Sequence, residues 1–187
     1  MNSSLGARQR SHRRALAFVA VLLATAGCDH ATKRIASDVL AAAPPLSLAA
    51  GLLRFELATN AGGLLSVGAG LPAELRRFLF LAVVPLGLLA AGLAVLRSTS
   101  LSGASLGGLS LLLGGGLANW LDRLAHGGLV TDFVSLGLGP LRTGIFNVAD
   151  LAVMLGAAVL LVASGTEGPG RVRARGSARE SGEAPPH

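Results

Sequence analysis

Few residues in this chain can do chemistry, and those that can are grouped. Asp29, Thr32 and Lys33 stand at i, i+3 and i+4, Asn119, Asp122 and Arg123 repeat that spacing, and Asn147 and Asp150 are three apart. On a helix each set shares one face. Asp132 falls between the last two groups, in the short apolar setting Val130-Thr131-Asp132-Phe133. Two carboxylates that share a site, here Asp132 and Asp150, suit the chemistry of an aspartic peptidase. Like charges held close cannot both ionise, so one carboxyl keeps its proton and polarises a scissile carbonyl while the other takes a proton from water. Other peptidase chemistries lack their parts: there is no H-E-x-x-H helix, no G-x-S-x-G elbow, and no orienting group for a pair made by the single cysteine, Cys28, with a histidine. The residues alone leave other readings open. Asp132 and Asp150 could carry ions in a small proton-coupled transporter, or brace helices against each other.

The elements that must position these groups are membrane spans. Hydrophobic residues make up 51% of the 187 and charged residues 14%, against about 25% charged in an average soluble domain. Mean hydropathy is +0.62. Four apolar runs are long enough to cross a bilayer, at residues 15–35, 78–96, 101–120 and 145–163. Pro85 should kink the second. The third carries Gly103 and Gly107 four apart, with Ser110 and Gly114 repeating the spacing, a pattern that lets helix backbones approach closely. Gly114, Gly115 and Gly116 should loosen its end. On these boundaries Asp150 lies about five residues inside the fourth span, where a carboxylate costs on the order of 2.5–3.5 kcal/mol unless it finds partners.

Between the first two spans, Leu46-Ser47-Leu48 and Leu52-Leu53-Arg54-Phe55-Glu56-Leu57 alternate apolar and polar residues, which predicts short strands on the membrane surface. Residues 121–144 form a second polar segment. Arginines crowd both ends: Arg8, Arg10, Arg13 and Arg14, then Arg171, Arg173, Arg175 and Arg179. With no aromatic platform beside them they read as the positive-inside signal, so nucleic acid is not expected as a partner. The predicted organisation is a basic cytoplasmic arm (1–14), one four-helix membrane domain (15–163) and a disordered arginine-rich cytoplasmic tail (164–187). The long loops then face outward.

Five blocks carry a resemblance. Asp29-His30-Ala31-Thr32-Lys33, Asn60-Ala61-Gly62, the run from Gly115 to Arg123, Val130-Thr131-Asp132-Phe133 and Phe146-Asn147-Val148-Ala149-Asp150 occur in the order seen in lipoprotein signal peptidases. The chain resembles that family over roughly residues 15–163. The resemblance implies a mainly α, integral-membrane fold: a four-transmembrane-helix bundle with a small β-sheet cradle in the first outer loop, at about residues 46–66. It implies an enzyme of the inner (cytoplasmic) membrane that removes the signal peptide of bacterial prolipoproteins just before a cysteine carrying diacylglycerol, with no cofactor or metal and as a monomer. The family's catalytic aspartates match Asp132 and Asp150. Its supporting residues match Asp29, Asn60, Asn119, Asp122, Arg123 and Asn147, of which Asn119 and Arg123 would hold the substrate backbone while Asp122 and Asn147 orient the site. Ala118 stands where the family commonly has glycine, and Leu64-Leu65-Ser66 where an aromatic often follows.

The remaining polar residues have plainer readings. Lys33 is expected to be an interfacial anchor, Trp120 part of an aromatic belt, and His30 and His126 solvated or interfacial. The segment Thr25-Ala26-Gly27-Cys28 also looks like a lipobox, which would make the chain a non-enzymatic lipoprotein lipidated on Cys28. Removing residues before Cys28 would strip one span from the bundle, so a small thiol on an intact helix is the preferred expectation.

Overall fold

The computed structural model describes residues 2–138 and 140–166. Among these residues four helices are long and apolar enough to cross a membrane. The first, α1, runs unbroken from Asn2 to Leu40. The expected arm is therefore helical from residue 2 rather than separate from the span. Extending an existing helix fixes one residue per added hydrogen bond, so the polar leader continues a helix that the apolar run has already nucleated. The second span is built from α2 (Ala73–Phe78), a π-helical turn at Leu79–Val83 and α3 (Val84–Arg97). Pro85 has no N–H to donate to the preceding turn, and the widened turn lies immediately before it. Helix α4 spans Gly103–Ala125 and α5 spans Val148–Thr166. The tail expected at 164–187 lies mostly outside the described residues, and its first residues are the last turn of α5.

Helix α4 is the hub and packs against α1, α3 and α5. Its glycines explain how the backbones come so close. A Cβ on Gly114 would meet Leu22 O and Thr25 Cβ of α1 at 2.9 Å, one on Gly115 would collide with Ala149 O of α5, and one on Gly116 would lie 2.8 Å from Leu88 of α3. The triplet does not loosen α4, which stays helical through it. It gives three neighbours, one per glycine, their closest approach. Gly103 and Gly107, singled out by spacing, have nothing within 4 Å of a built Cβ, whereas Gly108 faces Gly156 O of α5 at 3.0 Å. Gly115→Ala is expected to destabilise the bundle by about 1–3 kcal/mol through backbone separation. Gly107→Ala should leave the unfolding temperature unchanged or higher, since alanine favours a helix where space is open. Thermal unfolding of both variants in detergent checks the contrast.

A second cluster joins Ala26, Ala118 and Ala149, from α1, α4 and α5. Ala118 and Ala149 are wholly buried, so the alanine that replaces the family's glycine fits without displacing a helix. Large apolar side chains such as Leu16, Leu23, Leu86, Leu89, Leu161 and Val162 point outward, as lipid-facing residues must.

At the end of the bundle near Asp29 lies an antiparallel sheet, β1 (Leu46–Leu48), β2 (Leu53–Asn60), β3 (Val130–Leu138) and β4 (Leu141–Arg142), in that order. The cradle expected between the first two spans is present, and the segment between the last two spans supplies half of its strands. Residue 132, expected in a loop, is on β3 opposite Ala58. An isolated bridge between Val134 and Phe146 ties β3 to the residues just before α5.

Candidate active site

The polar groups of the sequence meet where α1, α4 and α5 reach the sheet. Asp29, Asn60, Asp122, Arg123, Asp132, Asn147 and Asp150 are all buried, and Asn119 is half-buried. All eight residues expected at the site are therefore brought together.

Helix α5 begins at Val148, so Asp150 lies in its first turn rather than five residues inside a span. The spacing of Asn147 and Asp150 is a reciprocal cap. Asn147 Oδ1 accepts from Asp150 N–H at 2.9 Å, and Asp150 Oδ2 accepts from Asn147 N–H at 3.4 Å. Asp29 Oδ1 accepts the adjacent N–H of Ala149 at 2.8 Å. Three backbone donors at this helix N-terminus are thus met by two carboxylates and an amide.

Asn147 also joins the two candidate catalytic groups. Its Nδ2 donates to Asp132 Oδ1 at 2.6 Å and to Asn119 Oδ1 at 3.1 Å. Asn119 Nδ2 in turn donates to Asp150 Oδ1 at 2.8 Å. The other oxygen of Asp132 accepts from Asn60 Nδ2 at 3.0 Å. Asn60 ends β2 in a turn, where its Oδ1 accepts from Gly62 N–H at 2.8 Å. Every oxygen of the two carboxylates has an amide donor, two of them from Asn147 and one each from Asn60 and Asn119, which fixes both groups before any substrate arrives.

The Asp132 carboxyl is pushed up to about 6 from its ordinary 3.8. The largest cause is burial, followed by the nearby charge of Asp150, and both outweigh the hydrogen bonds from Asn60 and Asn147 and the charge of Lys33. Asp132 therefore keeps its proton up to about pH 6, where an ordinary carboxyl would already have lost it.

Lys33 corrects its expected role. It is 4% exposed, not an interfacial anchor. Its Nζ lies 2.7 Å from Asp29 Oδ2 and 3.1 Å from Asp122 Oδ2, and donates to Asn119 Oδ1 at 3.0 Å. A lone lysine at a helix end normally snorkels to water; here two carboxylates and an amide replace the water. The i,i+4 spacing to Asp29 was the available signal. Asp122 further accepts from Thr131 N–H at 2.7 Å, anchoring the start of β3, and lies 2.8 Å from Nδ1 of the half-exposed His126. Arg123 donates to Gly62 O and Asn119 O and lies 4.6 Å over the Phe80 ring, so Phe80 joins the site without any motif to announce it. Cys28 is exposed on α1, one residue before Asp29, and the helix it would have to leave carries part of the site. The lipoprotein reading is not favoured, nor is the transporter.

Known proteins agree with this geometry. The sequence profile of the family described as Signal peptidase (SPase) II matches residues 21–165. The lipoprotein signal peptidase of Geobacter sulfurreducens is 30% identical over 145 residues, covering 78% of this chain and 89% of its own. That of Gloeobacter violaceus is 35% identical over 150 residues, covering 78% and 79%. A solved bacterial membrane enzyme, at 18% identity, superposes over 91% of this chain and 94% of its own with a TM-score of 0.69, which establishes the shared fold. With the profile running from the first span to the last and leaving out only the charged ends, the chain belongs to the signal peptidase II family and is a multi-pass membrane peptidase.

Proposed function

We propose that the protein is an aspartic endopeptidase of the bacterial inner membrane that cleaves prolipoproteins just before a diacylglyceryl-modified cysteine. The observation that carries the aspartic mechanism is the bridge through Asn147, which holds Asp132 of β3 and Asp150 of α5 in one buried site. The protonated carboxyl donates to the scissile carbonyl while its ionised partner accepts a proton from the attacking water. The tetrahedral intermediate then collapses as the leaving amine is protonated. Arg123 contributes positive charge, and its buried Nε has no acceptor among the described residues, a donor available to a substrate carbonyl. The signal helix enters sideways from the bilayer, with both basic ends of the enzyme in the cytoplasm and the site at the outer face.

Purified protein in detergent should cleave a diacylglyceryl-modified precursor and leave the same precursor without lipid intact, read as a gel shift. Equal cleavage of both would remove the lipid requirement, and cleavage of neither by folded protein would overturn the assignment. The pH dependence follows from Asp132. Below about 6 Asp132 holds its proton, and above it Asp132 ionises and the acid is lost. The kcat/KM profile, which reports the free enzyme, is therefore expected to fall as pH rises through about 6. The corresponding limb in kcat should lie higher, because a bound substrate displaces water and further disfavours the second charge. Matching initial rates at low and saturating substrate from pH 5 to 9 checks both limbs.

A further inference from the structure

At the opposite end of the bundle from the carboxylates, two cavities meet. One, of about 240 Å³, is lined by Arg10, Arg14, Ser98 and Thr99 at its polar side. The other, of about 660 Å³, is an apolar groove between α1, the second span and α4, with Leu89, Gly92, Leu113 and Trp120 among its walls. Phe18 and Leu96 line both, so the basic recess opens onto the groove. Arg10 lies 19 residues before Asp29 on the same helix, about 28 Å at the helical rise. That is close to the thickness of a bilayer core, about 30 Å. The recess therefore lies at one membrane surface and the carboxylates at the other.

We propose that this pair of cavities is a binding site for a single anionic phospholipid of the leaflet opposite the active site. Two arginines one helical turn apart present the planar donors that suit a phosphate, and neither has an ion-pair partner among the described residues. Arg14 spends one N–H on Leu101 O at 2.5 Å, which fixes its guanidinium at the recess and leaves other donors over. Ser98 and Thr99 add hydroxyls at the mouth. No carboxylate lines either cavity, so nothing repels an anion. A free phosphate would use the recess alone, whereas an acyl chain also enters the near end of the groove, which the recess shares at Phe18 and Leu96. A zwitterionic lipid brings a cationic headgroup against the same arginines and is disfavoured.

Native mass spectrometry of the full chain in detergent, titrated with phosphatidylglycerol, phosphatidylcholine or inorganic phosphate, tests this site. One phosphatidylglycerol should bind per protein, and Arg10→Gln with Arg14→Gln should weaken it by about thirtyfold, from roughly 1 kcal/mol per surface arginine. Gly92→Phe is an independent probe, since a Cβ there meets nothing within 4 Å and the ring would occupy the groove; it should weaken the lipid. Equal binding of the two lipids, undiminished binding to both sets of variants, or binding of phosphate as tight as the lipid would each overturn the proposal.

Discussion

Asp132→Asn and Asp150→Asn are each expected to lower the rate of prolipoprotein cleavage by on the order of 10³-fold or more, with the unfolding temperature shifted by only a few degrees. The rate estimate follows from removing a positioned proton donor or acceptor, which alone is worth about 10²–10⁴-fold. Asparagine keeps the shape and one acceptor, so each variant retains one of the two hydrogen bonds that its carboxylate accepts. For Asp132 there is also a compensation. Its pKa is raised, so the folded state holds more protons than the unfolded state between about 4 and 6, and stability falls as pH rises through that window. Above pH 6 the charged group opposes folding, and the neutral amide relieves that opposition. Loss of cleavage with retained melting is the result that assigns catalysis. Activity within tenfold of the parent in either variant would remove that residue from the mechanism, and unfolding in both would leave a structural brace as the better account.

Lys33→Met should be the most damaging substitution to stability. The ammonium is the cation for two carboxylates, Asp29 and Asp122, both buried. Removing one partner from a buried ion pair typically costs about 3–5 kcal/mol, because the charge left behind has neither water nor a counterion. The loss should be felt at three places, since Asp29 caps α5 through Ala149, Asp122 holds the start of β3 through Thr131, and Asn119 supports Asp150. Thermal unfolding in detergent should show a much lower melting temperature, and Lys33→Met with Asp122→Asn should recover part of it. If Lys33→Met melts with the parent, the ammonium is not the counterion that the geometry indicates.

The spans and the meeting of Asp132 with Asp150 in one site were legible in the sequence because hydropathy and motif order are local properties. The residues that escaped are those whose surroundings arrive from elsewhere. Lys33 looks like an anchor on α1 alone, and becomes a buried counterion only when α4 delivers Asp122 and Asn119. Gly103 and Gly107 have the right spacing on a face that no backbone approaches, whereas Gly114, Gly115 and Gly116 are spaced like a flexible hinge and serve three neighbours. Asp132 offered a readable signal: Val130, Asp132, Val134, Leu136 and Leu138 alternate with the rest of their segment, as a strand does. Asn147 and Asp150 were read as partners of the chemistry, and their three-residue spacing is also a helix-capping signature. That capping moves the start of α5 inward and places the aspartate at a helix end, where its cost is lower.

The contributions to the site come from α1, β2, α4, β3 and α5, spread from Asp29 to Asp150. The chain is made from the N-terminus, so its first helix reaches the bilayer carrying Asp29 and Lys33 already paired across one turn, a neutral unit that can enter lipid before its other partners exist. Asp132 follows much later, and Asp150 arrives with the last span. Until Asn147 and α5 are in place, the nascent protein holds one carboxylate of the pair without the other. A site drawn from α1, two strands, α4 and α5 is thereby incomplete throughout insertion, and it closes only when the last helix is in place.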